Sequence, residues 1–168
     1  MTDLYREIYK LKQLLRRGWL LRSVPNRTES DAEHCFSMMI LALELMNKNN
    51  LDVDQLKVLK MIAYHELCEI DAGDTTIVDN IPKEVKYKNE YEGIKRIAKL
   101  ANMPEIEDLW LEFEERKTKE AKFVKMLDKY DAVMQSKIYS EEYNMPELYN
   151  EFYNNGKVIC DEMNKLKK

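Results

Sequence analysis

The chain has 168 residues, with 27 Lys and Arg against 31 Asp and Glu and a formal net charge of −4. That length suits one domain with its own core, read here as a single unit over 1–168, and the acidic balance speaks against a nucleic-acid partner. Three cysteines without paired spacing fit reduced thiols in a cytoplasmic protein better than a disulfide frame. Neither a leader-like N-terminus nor a run of about 18 uncharged apolar residues is present, so no membrane partner is expected.

Only four glycines and four prolines interrupt the chain, and apolar residues recur at three- and four-residue spacing, which predicts an all-α fold. A first helix is expected over about 3–16, with Leu4, Ile8, Leu11 and Leu15 on one side, followed by the linker "GWLLRSVPNRTE". "SDAE" at 30–33 is a capping box that starts a second helix running to about Lys48. A third helix is expected from about 54 to 72, stopped by Gly73, and then the loop "GDTTIVDNIPKE". A fourth helix at about 83–101, an acidic fifth in "EIEDLWLEFEERKT" and a long sixth at 119–143 complete six main helices. One or two short C-terminal helices then occupy 144–168.

Both histidines of the chain fall on apolar helix faces. His34 shares a face with Met38, Leu41 and Leu45, while His65 lies beside Met61 and Ile62 with Glu66 next to it and Glu69 one turn on. On the sixth helix Asp128 interrupts the apolar run between Val124 and Ala132. An unpaired buried charge costs several kcal/mol or more, so inward carboxylates must be paired, protonated or bound to a metal. Each residue alone also fits a bland role, such as a hydrogen-bonded core histidine or an ion-paired carboxylate. Taken together, His34, His65, Glu66 and Asp128 point to one metal site. A His₂Cys₂ zinc site with Cys35 and Cys68 is a second option, but Cys35 points about 100° away from His34 and that set leaves Glu66 and Asp128 unexplained.

The order His34, "HE" at 65–66 and Asp128 resembles the signature of the HD-domain metal-dependent phosphohydrolases. With "RRGW" at 16–19, Arg22, "ESDAEH" at 29–34, "HELCEIDAGD" at 65–74 and "EAKFVKMLDKYD" at 120–131, the likeness extends to the 5′-deoxynucleotidase family over about 10–143. The resemblance implies an HD-domain helical bundle in which one divalent ion is held by His34, His65, Glu66 and Asp128. It also implies that Glu69 acts on the attacking water or the leaving oxygen, and that Asp74, Thr75, Thr76 and Ile77 contact substrate. Arg16 or Arg17 would orient the phosphate, with Trp19 packed near the nucleoside. The implied substrate is a small-molecule (deoxy)nucleoside 5′-monophosphate, and the implied assembly a homodimer.

The ligand set suits Co²⁺, Mn²⁺, Fe²⁺, Ni²⁺ or Zn²⁺ better than Ca²⁺. Glu66 departs from the aspartate usual at its position, and its extra methylene carries the carboxylate farther from the backbone. That departure leaves room for a catalytically weakened nucleotide-binding module. An HD hydrolase of triphosphates, cyclic dinucleotides or phosphorylated analogues, and a helical protein without a site, also remain open. The aromatic segment "ELYNEFYNN" either covers an interface or docks on its own bundle.

Overall fold

The computed structural model describes residues 3–166, and the side chains of Ile77, Asn164 and Leu166 lie outside that description. The described residues form α1 (Asp3–Gln13), α2 (Arg17–Leu20), α3 (Asp31–Asn49), α4 (Gln55–Tyr64), α5 (Glu69–Ala72), a 3₁₀ turn (Ile77–Asp79), α6 (Lys83–Ala101), α7 (Glu105–Glu115), α8 (Lys119–Tyr143) and α9 (Pro146–Leu166). The fold is all-α, as expected. No helix among the described residues is long and apolar enough to cross a membrane.

α3 starts at the capping box, where the Ser30 hydroxyl accepts from the Glu33 amide and the Glu33 carboxylate accepts from the Ser30 amide. α4 and α8 are capped in turn by Asp54 and Thr118, each accepting an amide hydrogen from three residues on. The main core lies between α3, α4, α7, α8 and α9 and includes Met38, Leu45, Met61, Ile62, Val124 and Leu127, all at most 1% exposed. A second cluster around Ile94, Ile97, Ile106 and Trp110 joins α6 to α7, and a third gathers Trp19, Val24, Tyr139 and Leu148. Burying each such side chain is worth about 1.5–3 kcal/mol, so these clusters hold the helices that carry the polar site.

Several expected boundaries differ, and the expected linker "GWLLRSVPNRTE" begins within the single helical turn of α2, Arg17–Leu20. α1 ends at Gln13, because Leu15 pairs in an isolated antiparallel bridge with Ser30. In that bridge the Arg16 amide donates to the Glu29 carbonyl at 3.0 Å and the Asp31 amide to the Leu14 carbonyl at 3.0 Å, so Arg16 lies beside the start of α3. The helix expected over 54–72 is two helices joined by a tightened turn at 65–68, where Leu67 and Glu69 donate to carbonyls three residues back. Side chains compete for the carbonyls there: the His65 ring bonds the Ile62 carbonyl at 2.8 Å, and the Cys68 thiol donates to the His65 carbonyl at 3.3 Å.

The C-terminal segment is one helix of 21 residues rather than one or two short ones. A Cβ at Gly156 would lie 2.7 Å from Val133 Cγ2, so the glycine permits close approach to α8, and packing outweighs its weak helix propensity. The aromatic segment docks on its own bundle, with Leu148 in the third cluster and Tyr149, Phe152 and Tyr153 against the main core.

Candidate active site

The turn after α4, the start of α3 and the middle of α8 bring His34, His65, Glu66 and Asp128 together, with one ligand atom of each within 4.8 Å of all the others. His34 Nε2 lies 3.4 Å from Asp128 Oδ1 and 3.8 Å from Glu66 Oε1, and His65 Nε2 lies 3.4 Å from Glu66 Oε1. Ligands about 2.1 Å from a common ion sit roughly 3–3.5 Å from one another. The two 3.4 Å separations fall in that range and the 3.8 Å one is slightly wider, so the group is close enough to gather around one ion with small side-chain shifts. The test of fit is at the two ring nitrogens. His34 Nε2 and His65 Nε2 are buried without a hydrogen bond, while Nδ1 of each ring is taken, by Asp131 Oδ2 at 2.7 Å and by the Ile62 carbonyl at 2.8 Å. Each imidazole is thereby oriented with its second nitrogen directed at the centre, the arrangement metal-ligating histidines adopt.

The cysteine alternative does not form. Cys35 Sγ lies 4.0 Å from His65 Nδ1, the nitrogen already bonded to Ile62, and the Cys68 thiol donates to a backbone carbonyl.

The electrostatics are those of crowded acids around few cations. Burial raises the Glu66 carboxyl, yet His65, Arg16 and His34 outweigh it and hold the group far below the usual range. Asp128 is likewise held low against burial, by His34 and by Lys125, whose Nζ is 3.2 Å from Asp128 Oδ2. Burial and the Arg16 charge oppose protonation of His34, but Asp128 and Asp131 prevail and raise it to about 9. Glu69 goes the other way: burial, then the charges of Glu66 and Glu90, push it up to about 10, and its Oε2 is buried without a partner.

A cavity of about 290 Å³ opens over this cluster, lined by His65, Glu66, Glu69, Asp74 and Asp128, by Arg16, Lys86, Arg116 and Lys125, and by Trp110 and Phe113 among others. Its volume lies just below the usual range for small-molecule sites, about 300–1,000 Å³. The two arginines separate here. Arg16 Nη1 is 3.1 Å from Glu66 Oε1 and 3.7 Å from Asp31 Oδ1, and its Nε is 3.7 Å from Glu29 Oε1, so its guanidinium belongs to the site. Arg17 points outward and pairs with Asp79.

Trp19 does not line the cavity. Its buried indole stacks on Phe152 at 4.6 Å, meets Tyr139 edge-on at 5.4 Å and donates to Glu29 Oε1 at 2.8 Å. Asp74 is a lining residue and Thr75 Oγ1 is buried without a partner, whereas Thr76 bonds Asp79 through both its amide and its hydroxyl. Ile77 opens the 3₁₀ turn, and its side chain is outside the described residues.

Residues 8–167 match the HD domain family. The chain belongs to the HD-domain family. This HD-domain chain is 33% identical to the mouse (Mus musculus) protein named 5′-deoxynucleotidase HDDC2, over 96% of its own length and 81% of that protein's. The human (Homo sapiens) protein of the same name is also 33% identical, over 99% and 82% of the two lengths. Among solved structures, a conserved hypothetical protein from Pyrococcus furiosus superposes with a TM-score of 0.79 at 28% identity, covering 98% of this chain and 92% of that one. The HD-domain family is metal-dependent, and the four-residue cluster provides a ligand set for a divalent cation.

Sequence reasoning left Glu29, Asp31, Asp131 and Lys125 without roles, although the matched blocks at 29–34 and 120–131 contain them. Lys86, Glu90, Trp110 and Arg116 gave no sequence signal, because charged and aromatic positions on α6 and α7 read as ordinary amphipathic faces until those helices pack beside the cavity.

Proposed function

We propose that this HD-domain protein hydrolyses deoxynucleoside 5′-monophosphates to nucleoside and inorganic phosphate. In this reading the whole chain is one HD domain, and a divalent ion, Co²⁺, Mn²⁺, Fe²⁺, Ni²⁺ or Zn²⁺, is held by His34, His65, Glu66 and Asp128. The observation that carries it is the pair of buried, unbonded Nε2 atoms converging with two carboxylates under a cavity that also holds Arg16 and Glu69. The kinship to proteins named 5′-deoxynucleotidase supports the substrate class.

When bound, the cation supplies Lewis acidity at the phosphoryl group and lowers the pKa of the attacking water. Arg16 clamps the phosphate, since its planar fork makes two charge-assisted bonds and burial among Glu29, Asp31 and Glu66 fixes its position. Glu69 holds a proton at neutral pH and delivers it to the leaving 5′-oxygen, which converts a poor alkoxide leaving group into an alcohol. Asp74 and Thr75 meet the sugar from the loop after α5, with the Asp74 carboxylate accepting a hydroxyl hydrogen.

The homodimer and the cytoplasmic setting belong to the same reading. The apolar stripe Phe36, Ile40 and Leu43 that α3 leaves exposed supports the dimer, and sedimentation analysis tests it.

The deciding experiment is phosphate release from deoxyribo- and ribonucleoside 5′-monophosphates after chelation and re-addition of Co²⁺, Mn²⁺, Mg²⁺ or Zn²⁺, with Asp128→Ala in parallel. Ion-restored release from the deoxy substrates, absent in the variant, is expected. Folded protein that binds an ion yet releases no phosphate from any monophosphate overturns the reading.

A further inference from the structure

Arg16 and Arg17 are adjacent, yet they serve opposite sides of the chain. The Arg17 guanidinium bonds both oxygens of Asp79, Nε to Oδ2 at 3.0 Å and Nη2 to Oδ1, and its backbone amide donates to Asp74 Oδ2 at 2.6 Å. Asp79 Oδ2 also accepts from the Thr76 amide at 2.8 Å and the Thr76 hydroxyl at 3.2 Å. From α6, Lys86 Nζ donates to the Thr75 carbonyl at 3.0 Å. The segment from Gly73, at φ +74°, to Asp79 therefore has polar tethers at both ends and in the middle. Val78 on this segment is 67% exposed, so its side chain contributes little packing.

One short element, α2, thus sets two points of the loop at once: Asp74 through a backbone amide and Asp79 through a side chain. We propose that Arg17 is a positioning residue that clasps the 73–79 loop through Asp79, presents Asp74 and Thr75 to the cavity, and so sets substrate affinity rather than the rate of bond cleavage. The inference rests on the reading above in which Asp74 and Thr75 meet the sugar. A loop held in its binding geometry spares the ordering cost on association, and that cost falls on KM. The groups assigned to cleavage, Arg16, Glu69 and the ion ligands, lie outside the loop and keep their places when the clasp is removed. Arginine suits the clasp because its fork engages both carboxylate oxygens, whereas a lysine ammonium keeps the charge without the same fixed geometry.

The test uses the full metal-loaded chain and the variants Arg17→Gln, Arg17→Lys, Asp79→Asn and the double Arg17→Gln/Asp79→Asn. Steady-state kinetics on a deoxynucleoside 5′-monophosphate are combined with amide hydrogen exchange over 73–79, bound-metal content and thermal melting. Arg17→Gln is expected to raise KM about three- to fivefold, the scale of a well-formed exposed ion pair, with kcat within about twofold. Exchange across the loop should quicken while metal content stays at the parent level. Arg17→Lys should recover part of the loss, and the double variant should be no worse than Asp79→Asn, because the two residues act as a unit. Unchanged KM and exchange in Arg17→Gln overturn the clasp. A fall in kcat matching the fall in kcat/KM overturns it too, since that pattern makes Arg17 a transition-state contact. Should the parent hydrolyse no nucleotide, the substrate reading fails by itself, and the exchange comparison still decides whether Arg17 orders the loop.

Discussion

Glu66 Oε1 lies 3.1 Å from Arg16 Nη1 and 3.4 Å from His65 Nε2, so one carboxylate oxygen touches both the proposed ion site and the proposed phosphate clamp. An aspartate on the same backbone, one methylene shorter, would stand farther from Arg16. Glu66→Asp keeps an anionic ligand but withdraws it from the guanidinium, whereas Glu66→Gln keeps the reach and removes the charge. Calorimetric titration with Mn²⁺ or Co²⁺ should show Glu66→Gln losing at least about tenfold in affinity and Glu66→Asp losing less, because a ligating carboxylate must be ionised. Equal affinities in the parent and Glu66→Gln would remove Glu66 from the ligand set.

Asp131 sits one hydrogen bond behind the proposed ion site. Its Oδ2 is 2.7 Å from His34 Nδ1, which holds the Nδ1 hydrogen toward the carboxylate and turns Nε2 to the proposed ion site, where a bound ion would take the place of the second ring proton. Removing such a partner typically costs about 10–100-fold in metal affinity, and that loss is expected for Asp131→Ala in competition with a coloured chelator. Asp131→Asn, which keeps an acceptor, should lose less. Parent-like affinity in Asp131→Ala would show that the helix alone orients His34.

The four-residue cluster was legible because helical periodicity and the cost of burying charge both operate within single helices: His34 and His65 had to face inward, and inward carboxylates needed a partner. The choice between Arg16 and Arg17 was not legible, since it depends on the Leu15–Ser30 bridge between segments that periodicity treats as unrelated. The turn at 65–68 was hidden for a similar reason, because the bonds of the His65 ring and the Cys68 thiol to nearby carbonyls do not alter the apolar pattern. Gly156 reads as a weak helix residue until Val133 is beside it. Lys86 and Glu90 look like a solvated pair on α6 until the 73–79 loop and Glu69 are packed against them.

Trp19 separates stability from substrate binding. Its indole N–H satisfies the buried Glu29 carboxylate, and its ring fills the space between Tyr139 and Phe152. Trp19→Phe keeps most of the packing and deletes the donor, so urea denaturation should show a loss of about 1–3 kcal/mol, the cost of leaving a buried acceptor short of its partner. KM for a deoxynucleotide should remain within about twofold of the parent, as expected of a variant that removes no contact to substrate. A raised KM at unchanged stability would instead place the ring against the nucleoside, as the family resemblance implies.

Asp79 gives the clasp a pH signature. The hydrogen bonds from Arg17, then those from Thr76, push its carboxyl down to about 2. An unperturbed aspartate titrates near 3.9, so the folded value lies below the unfolded one, and the stabilising contribution is present above about pH 4 and lost as pH falls through the folded value. Arg17→Gln removes the largest cause while Thr76 remains. The Asp79 carbon resonance, followed by NMR, should therefore titrate near 2 in the parent and move up to between about 3 and 4 in the variant. A parent inflection already near 3.9 would mean that the Arg17 fork does not engage Asp79 in solution, and the loop would then owe its geometry to Lys86 and the Asp74 bond alone.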